Sequence, residues 1–299
     1  MDNSNHQSKR NIVIVGNGVW GNALFTVIRT HHPHVKMWDR KFDLNTAQVL
    51  ILAIPTIAIR DVLSKVNLNP ECILVNTSKG VEKDTHLLPY QIVKKMARKN
   101  YYFTLIGPSF AKEVTENIPT IVNIGYKNST NAVYIKSIFQ TNAFHVRLTK
   151  DVEVIELFAA FKNVYAIAAG IAHGIGLKAN TQAKLTVLAL EELYRMMRNL
   201  KLSISSRSLA GTVGDLVLTT YSEESRNYRF GEALVQYSSE EALKRVASTV
   251  EGYNTAFSVH ALAHKYGVHL PLAELVYDII VTNNPENTKA KFTKFLEKV

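Results

Sequence analysis

A lysine interrupts one of the most apolar stretches of the chain. From Phe158 to Gly174 the sequence reads FAAFKNVYAIAAGIAHG, and only Lys162 with Asn163 breaks a run that otherwise packs as a buried helix. Burying an ammonium without a partner costs several kcal/mol. Either the stem carries the charge out to water, or the charge faces something that needs a cation. Ketone reduction is such a need. Hydride goes to carbon, a proton goes to oxygen, and a lysine near the carbonyl supplies the proton and steadies the alkoxide. Asp215, in GDL, is a carboxylate that could orient the ammonium. Ser225, Arg226 and Asn227 set a hydroxyl, a guanidinium and an amide in a row, a combination that can surround a phosphate with the arginine binding bidentately. Taken alone, that tripeptide is more often a solvated turn than a site.

A second set of residues points to a dinucleotide. VGNGVWG spaces Gly16, Gly18 and Gly21 as G-x-G-x-x-G, directly after the β-branched run NIVIVG (Asn11 to Gly16) and at the opening of a helix. The first glycine permits the tight turn, the second a close approach of backbone to pyrophosphate, and the third helix-to-sheet packing. The pyrophosphate then sits on the helix N-terminus. Asp39, in MWDR, lies where an acid bonds the 2′-hydroxyl of NAD, and Arg40 beside it lies where a cation meets the 2′-phosphate of NADP. The two pull in opposite directions, so NAD or NADP is expected, with a plain solvated strand end as the remaining reading. Lys79, in TSKG, and Gly107 with Ser109, in GPSFAKEV, follow the fourth and fifth strand-like runs. Ligands of open α/β sheets bind at those carboxyl ends. The bland alternatives are a loop lysine and a helix N-cap serine.

The elements that must hold these residues fall into two kinds. In the first half, short apolar runs (NIVIVG, VKMWD, QVLILAIP, CILVNT, YFTLIGP, PTIVNIG, AFHVRL) alternate with helix-compatible stretches such as Val19 to Thr30, Ala58 to Val66 and Leu87 to Arg98. This βαβ rhythm gives an α/β fold, a Rossmann-type doubly wound sheet. After Asp151 helical periodicity takes over, with Leu185, Leu188, Ala189, Leu193 and Met196 on one face. The spacing predicts a flexible tail over 1–10, a dinucleotide-binding domain over 11–149 and an all-α domain over 150–299. Lysines and arginines give a net charge of +10 but are spread along the chain, which favours a solvated basic surface over nucleic-acid binding. The single cysteine, Cys72, excludes an intrachain disulfide and suits a reducing compartment, so a cytoplasmic protein is expected. No Cys/His spacing suggests a metal, the polar start has no secretory core, and the apolar run is broken too often for membrane insertion.

GNGVWGNAL, TSKG, GPSFAKEV, FKNVYAIAAGIAHGIG, GDLVLTTYSEESRNYRFG and VEGYNTA stand in the order found in bacterial-type NAD(P)-dependent glycerol-3-phosphate dehydrogenases, which the chain resembles from Asn11 to about Leu272. The resemblance implies reversible reduction of dihydroxyacetone phosphate to sn-glycerol 3-phosphate for glycerophospholipid synthesis, and a helical domain like the C-terminal one of 6-phosphogluconate dehydrogenase. A homodimer is possible. It implies that Lys162 is the catalytic acid/base and that Lys79, Gly107 and Ser109 touch substrate or nicotinamide. Asp215, Ser225, Arg226 and Asn227 would hold the substrate, with Arg226 also near the cofactor. Val19, Trp20, Ala111 and Glu251 would contact the cofactor.

The chain departs from the family pattern in places. The segment after Arg40 is short, His173 stands at a usual aspartate, and AGTVGDL is one residue longer than the usual AGxGDL. The competing expectations are a related two-domain dehydrogenase on another hydroxy substrate, and a non-catalytic nucleotide-binding relative.

Overall fold

Ile12–Val15 is buried on both faces, as a central strand of a parallel sheet must be. In this computed structural model, which describes residues 10–39 and 43–299, it is β1 of a seven-stranded sheet. The others are β2 (Lys36–Met37), β3 (Val49–Leu52), β4 (Ile73–Asn76), β5 (Tyr101–Ile106), β6 (Thr120–Tyr126) and β7 (Phe144–Thr149), in the order β2-β1-β3-β4-β5-β6-β7. Residues 1–9 of the expected tail, and Arg40, lie outside the described residues.

The chain forms two compact units. The first comprises the described residues up to Glu82, Leu87–Glu156 and Ile204–Gly211. Alternation along the strands sends side chains to two separate cores. Ile12, Ile14, Val49, Ile51, Ile73 and Val75 join Leu24 and Ile28 of the helix Val19–Arg29 and Ile135 and Ile138 of Ala132–Phe139. Val13, Val15, Leu50, Leu52 and Leu74 join Ile59 and Leu63 of Thr56–Ser64 and Ile92 and Val93 of Pro89–Met96. The sheet is therefore covered on both faces. One strand breaks the parallel pattern: β6 runs antiparallel to β5, while the other neighbours are parallel. A parallel return needs a crossover of a dozen or more residues, usually a full helix. The link here is long enough but holds only the five-residue helix Ala111–Thr115, and β6 returns antiparallel beside β5.

The second unit, Lys83–His86, Leu157–Ser203 and Thr212–Val299, is helical. The helix Val152–Gly174 contributes its residues from Leu157 onward, and it is the one helix among the described residues long and apolar enough to cross a membrane, although its most apolar 18-residue stretch is wholly buried in the protein. Helix Ala179–Asn199 buries Leu185, Ala189, Leu193 and Met196 along one stripe, with Leu188 partly buried at its margin. The helices Val152–Gly174 and Arg226–Ala233 cross backbone to backbone. A Cβ on Gly170 would stand 1.9 Å from the Tyr228 carbonyl oxygen, and one on Gly231 would stand 2.1 Å from that of Ile167. Only glycines allow this approach. Deeper in the unit, the Glu192 carboxylate accepts from Tyr165 Oη (3.1 Å) and from the first-turn N–H groups of Leu272 and Ala273 in helix Pro271–Thr282. Burial still pushes its carboxyl up to about 7.

Candidate active site

The glycine turn joins β1 to helix Val19–Arg29. Gly16 has φ 115°, a left-handed conformation suited to glycine, and a Cβ on Gly21 would stand 1.9 Å from the Gly16 carbonyl oxygen. A Cβ on Gly18 would meet nothing within 4 Å. That open side faces away from the protein, and no side chain caps the helix N-terminus that Gly18 begins. Uncapped N–H groups beside open space fit a pyrophosphate. Val19 is 76% exposed at the same mouth and Trp20 is half-buried. Past β2, Trp38 N–H donates to the Ile14 carbonyl (2.8 Å), which sets Asp39, exposed, at the carboxyl edge next to the turn. Arg40, its expected rival, is not among the described residues.

The first unit also brings together Lys79, Gly107 and Ser109. Lys79 Nζ and Ser109 Oγ both donate to the Gly107 carbonyl oxygen, each at 3.1 Å. The N-cap of the next helix is Phe110, not Ser109, whose hydroxyl is engaged with Gly107. Ala111 begins that helix. The sequence missed a buried carboxyl in the same unit. Glu156, 1% exposed, accepts from Tyr102 Oη and from Tyr90 N (2.9 Å). Burial pushes its carboxyl up to about 7, against the pull of those donors.

In the second unit Lys162 has its answer. Nζ lies 2.6 Å from Asp215 Oδ1 and 2.8 Å from Thr219 Oγ1, with the lysine side chain 6% exposed and the aspartate 1%. The two opposite charges meet in direct hydrogen-bond contact. Thr219 was not foreseen. It follows Asp215 by four residues on the helix Asp215–Thr220 and so shares its face, a signal the sequence did contain. AGTVGDL runs through a π-helical turn, Ala210–Gly214, immediately before Asp215.

Asn163, next to Lys162, anchors a second chain of contacts. Asn227 Nδ2 donates to Asn163 Oδ1 (3.0 Å), Gly252 N–H donates to Asn227 Oδ1 (2.8 Å), and Asn163 Nδ2 reaches Glu251 Oε2 at 3.4 Å. Glu251 thus sits by Asn163, at the start of helix Glu251–Tyr266. Ser225 is the N-cap of helix Arg226–Ala233, accepting from Tyr228 N–H at 3.3 Å, which leaves its hydroxyl proton to give. Arg226 is exposed at the first helical position. His173 stays apart from both groups, exposed, 3.3 Å from Glu232 and against the Tyr228 ring.

The chain matches the model for the NAD-dependent glycerol-3-phosphate dehydrogenase N-terminus over residues 39–132 and that for the C-terminus over residues 151–290. The glycerol-3-phosphate dehydrogenase (NAD(P)+) of Syntrophomonas wolfei is 32% identical over 311 aligned residues, covering 91% of each chain. That of Bacillus pumilus is 31% identical, covering 91% of this chain and 90% of the relative. The crystal structure of glycerol-3-phosphate dehydrogenase from Coxiella burnetii superposes with a TM-score of 0.88 at 26% identity, covering 97% of this chain and 99% of that one. With both models and these relatives matched over most of its length, the chain belongs to the NAD-dependent glycerol-3-phosphate dehydrogenase family.

Proposed function

We propose that this chain reduces dihydroxyacetone phosphate to sn-glycerol 3-phosphate, reversibly, with NADH or NADPH. The observation that carries the reading is the buried Lys162–Asp215–Thr219 group, an ammonium held in an apolar helix by a carboxylate at 2.6 Å. Lys162 passes its proton to the carbonyl oxygen, while Asp215 and Thr219 keep Nζ aimed and its charge compensated. Arg226 and Ser225, at the N-terminus of helix Arg226–Ala233, bind the substrate phosphate, and the first-turn N–H groups add to the attraction. Asn227 turns its side chain toward Asn163, away from the exposed Arg226 beside it.

When bound, the reduced nicotinamide supplies hydride to the carbonyl carbon. Gly16, Gly18 and Gly21 cradle the pyrophosphate, and Val19, Trp20 and Ala111 line the dinucleotide. Asp39 addresses the adenosine ribose, with Arg40 as its counterpart for NADP. Lys79, Gly107 and Ser109 act at the substrate or nicotinamide, and Glu251 and Arg226 at the cofactor. The product feeds glycerophospholipid synthesis in the cytoplasm. A homodimer is supported by exposed apolar side chains such as Phe257, packed edge-on against Tyr277, and Val281 one turn further on.

The test is turnover of dihydroxyacetone phosphate with NADH and, separately, NADPH. Lys162→Ala is expected to lower kcat about 10²- to 10⁴-fold while nucleotide binding persists. No turnover with either cofactor overturns the reading.

A further inference from the structure

Lys79 stands on a segment with two sets of anchors, and only one of them is explained by the sheet. On its strand side, Thr77 Oγ1 donates to the Leu52 carbonyl (3.1 Å) and Ser78 Oγ to that of Ile54 (2.5 Å). Asn76 brackets Ser78, accepting its N–H (3.0 Å) and donating to its carbonyl (3.1 Å). These bonds extend the end of β4. Three residues beyond Lys79 the chain is caught again. Glu82, 8% exposed, receives a fork from Arg60, with Nε on Oε1 at 2.9 Å and Nη2 on Oε2 at 2.8 Å. Arg60 projects from helix Thr56–Ser64, and its Nη1 also rests on Met96 Sδ at 3.3 Å. Glu82 N–H closes the other side on the Leu87 carbonyl (3.0 Å).

Stability is a poor reason for this fork. Desolvating a carboxylate offsets most of what an ion pair gains, and an apolar pair of similar volume does as well. A planar guanidinium on a carboxylate does fix geometry, because both oxygens are engaged at once. What it fixes is the far end of Lys79–Gly80–Val81–Glu82. Gly80 (φ 140°) and Val81 are buried between the anchors. Besides Glu82 itself, Lys79 is the one long polar side chain in that span, and its Nζ is set on the Gly107 carbonyl.

We propose that the Arg60–Glu82 fork is a positioning device for Lys79, holding its ammonium on Gly107 where the substrate end of the site begins. Neither residue touches substrate. The proposal rests on the reading of Lys79 given above, and the experiment separates the two. Steady-state kinetics with dihydroxyacetone phosphate compare wild type, Lys79→Ala, Glu82→Gln, Arg60→Lys and the double variant Lys79→Ala/Glu82→Gln. Lys79→Ala is expected to lower kcat/KM for dihydroxyacetone phosphate. Glu82→Gln is expected to lower it about tenfold or more, with KM for the nucleotide unchanged, because small misplacements of a positioned group are costly. In the Lys79→Ala background Glu82→Gln should add nothing, since it acts through Lys79. Arg60→Lys, with the charge but not the fork, should fall between. An equal loss from Glu82→Gln in both backgrounds makes the fork merely structural and overturns the proposal. A Lys79→Ala variant with wild-type kinetics removes the reading of Lys79 itself, and the proposal with it. Should Glu82→Gln fail to fold, Arg60→Lys in the two backgrounds gives the same comparison from the half-exposed partner.

Discussion

Asp215→Asn removes the charge beside Lys162 and keeps the shape around it. At 2.6 Å and an effective dielectric of about 20, the pair attracts by about 6 kcal/mol. Much of that offsets the cost of taking two ions out of water, and with side chains 6% and 1% exposed that cost is high. The asymmetry lies in what remains after the substitution. Asn leaves an ammonium in an apolar helix with Thr219 and a neutral amide, and breaking a buried pair from one side costs about 3–5 kcal/mol. Lys162→Met leaves a buried carboxylate and costs the same order. The double variant leaves no stranded charge and should recover most of the loss, so the two costs are far from additive. A chain of two units does not unfold in one step, which makes local amide exchange along Leu157–Gly174 the right assay. A loss of 3–5 kcal/mol is about a hundred- to several-thousandfold faster exchange there. Costs that simply add, or an Asp215→Asn variant that exchanges like wild type, would refute the claim that the pair compensates a buried charge. Both single variants should also lose turnover.

Two further tests use other parts of the chain. Gly18→Ala should leave the thermal midpoint of the nucleotide-free protein unchanged, because its Cβ meets nothing, yet raise Kd for NADH about tenfold or more by occupying the space of the pyrophosphate. Gly21→Ala should lower the midpoint as well, its Cβ lying 1.9 Å from Gly16 O, and a Gly18→Ala protein that binds NADH normally would contradict the assignment of that space. Glu156 titrates at about 7 in the folded chain against 4.5 when unfolded, so between those values the folded state holds a proton that the unfolded state has shed. Its contribution is full below about 4.5, falls as pH rises through 7 and is gone above. Glu156→Gln should therefore gain on wild type by about 3 kcal/mol in the opening free energy of the first unit, read from amide exchange around Glu156, between pH 4.5 and pH 8, and parallel pH profiles would sink the idea.

Local signals carried the most information in this sequence. Continuous β-branched runs mark strands buried on both faces, so β1, β3 and β4 were legible from residue type alone. The glycine turn was legible because its steric needs lie within six residues. The direction of β6 was not. Thr120–Tyr126 looks like any buried strand, and only the shortness of the helix before it decides which way it runs. Partners far apart in the chain were invisible as well. Nothing near Glu82 announces Arg60, and nothing near Tyr102 announces Glu156. Ser109 shows the limit of a local preference, since an N-cap type in an N-cap context is engaged by Gly107 instead.

AGTVGDL tests how far an insertion travels. One residue added before GDL would rotate Asp215 by about 100° if the helix absorbed it as an α-turn, and the carboxylate would leave Lys162. A π-turn closes on i→i+5 instead of i→i+4, so it takes up one residue more per turn without passing the rotation on. Ala210–Gly214 is such a turn, and it ends at the residue before Asp215. Upstream the backbone is pinned, with Asn123 Oδ1 accepting from Gly211 N–H at 2.6 Å and its Nδ2 donating to the Arg207 carbonyl at 2.7 Å. Downstream, Asp215 and Thr219 hold the lysine from one helical face. The π-turn thus delivers Asp215 to the helical face on which its carboxylate meets Lys162 at 2.6 Å.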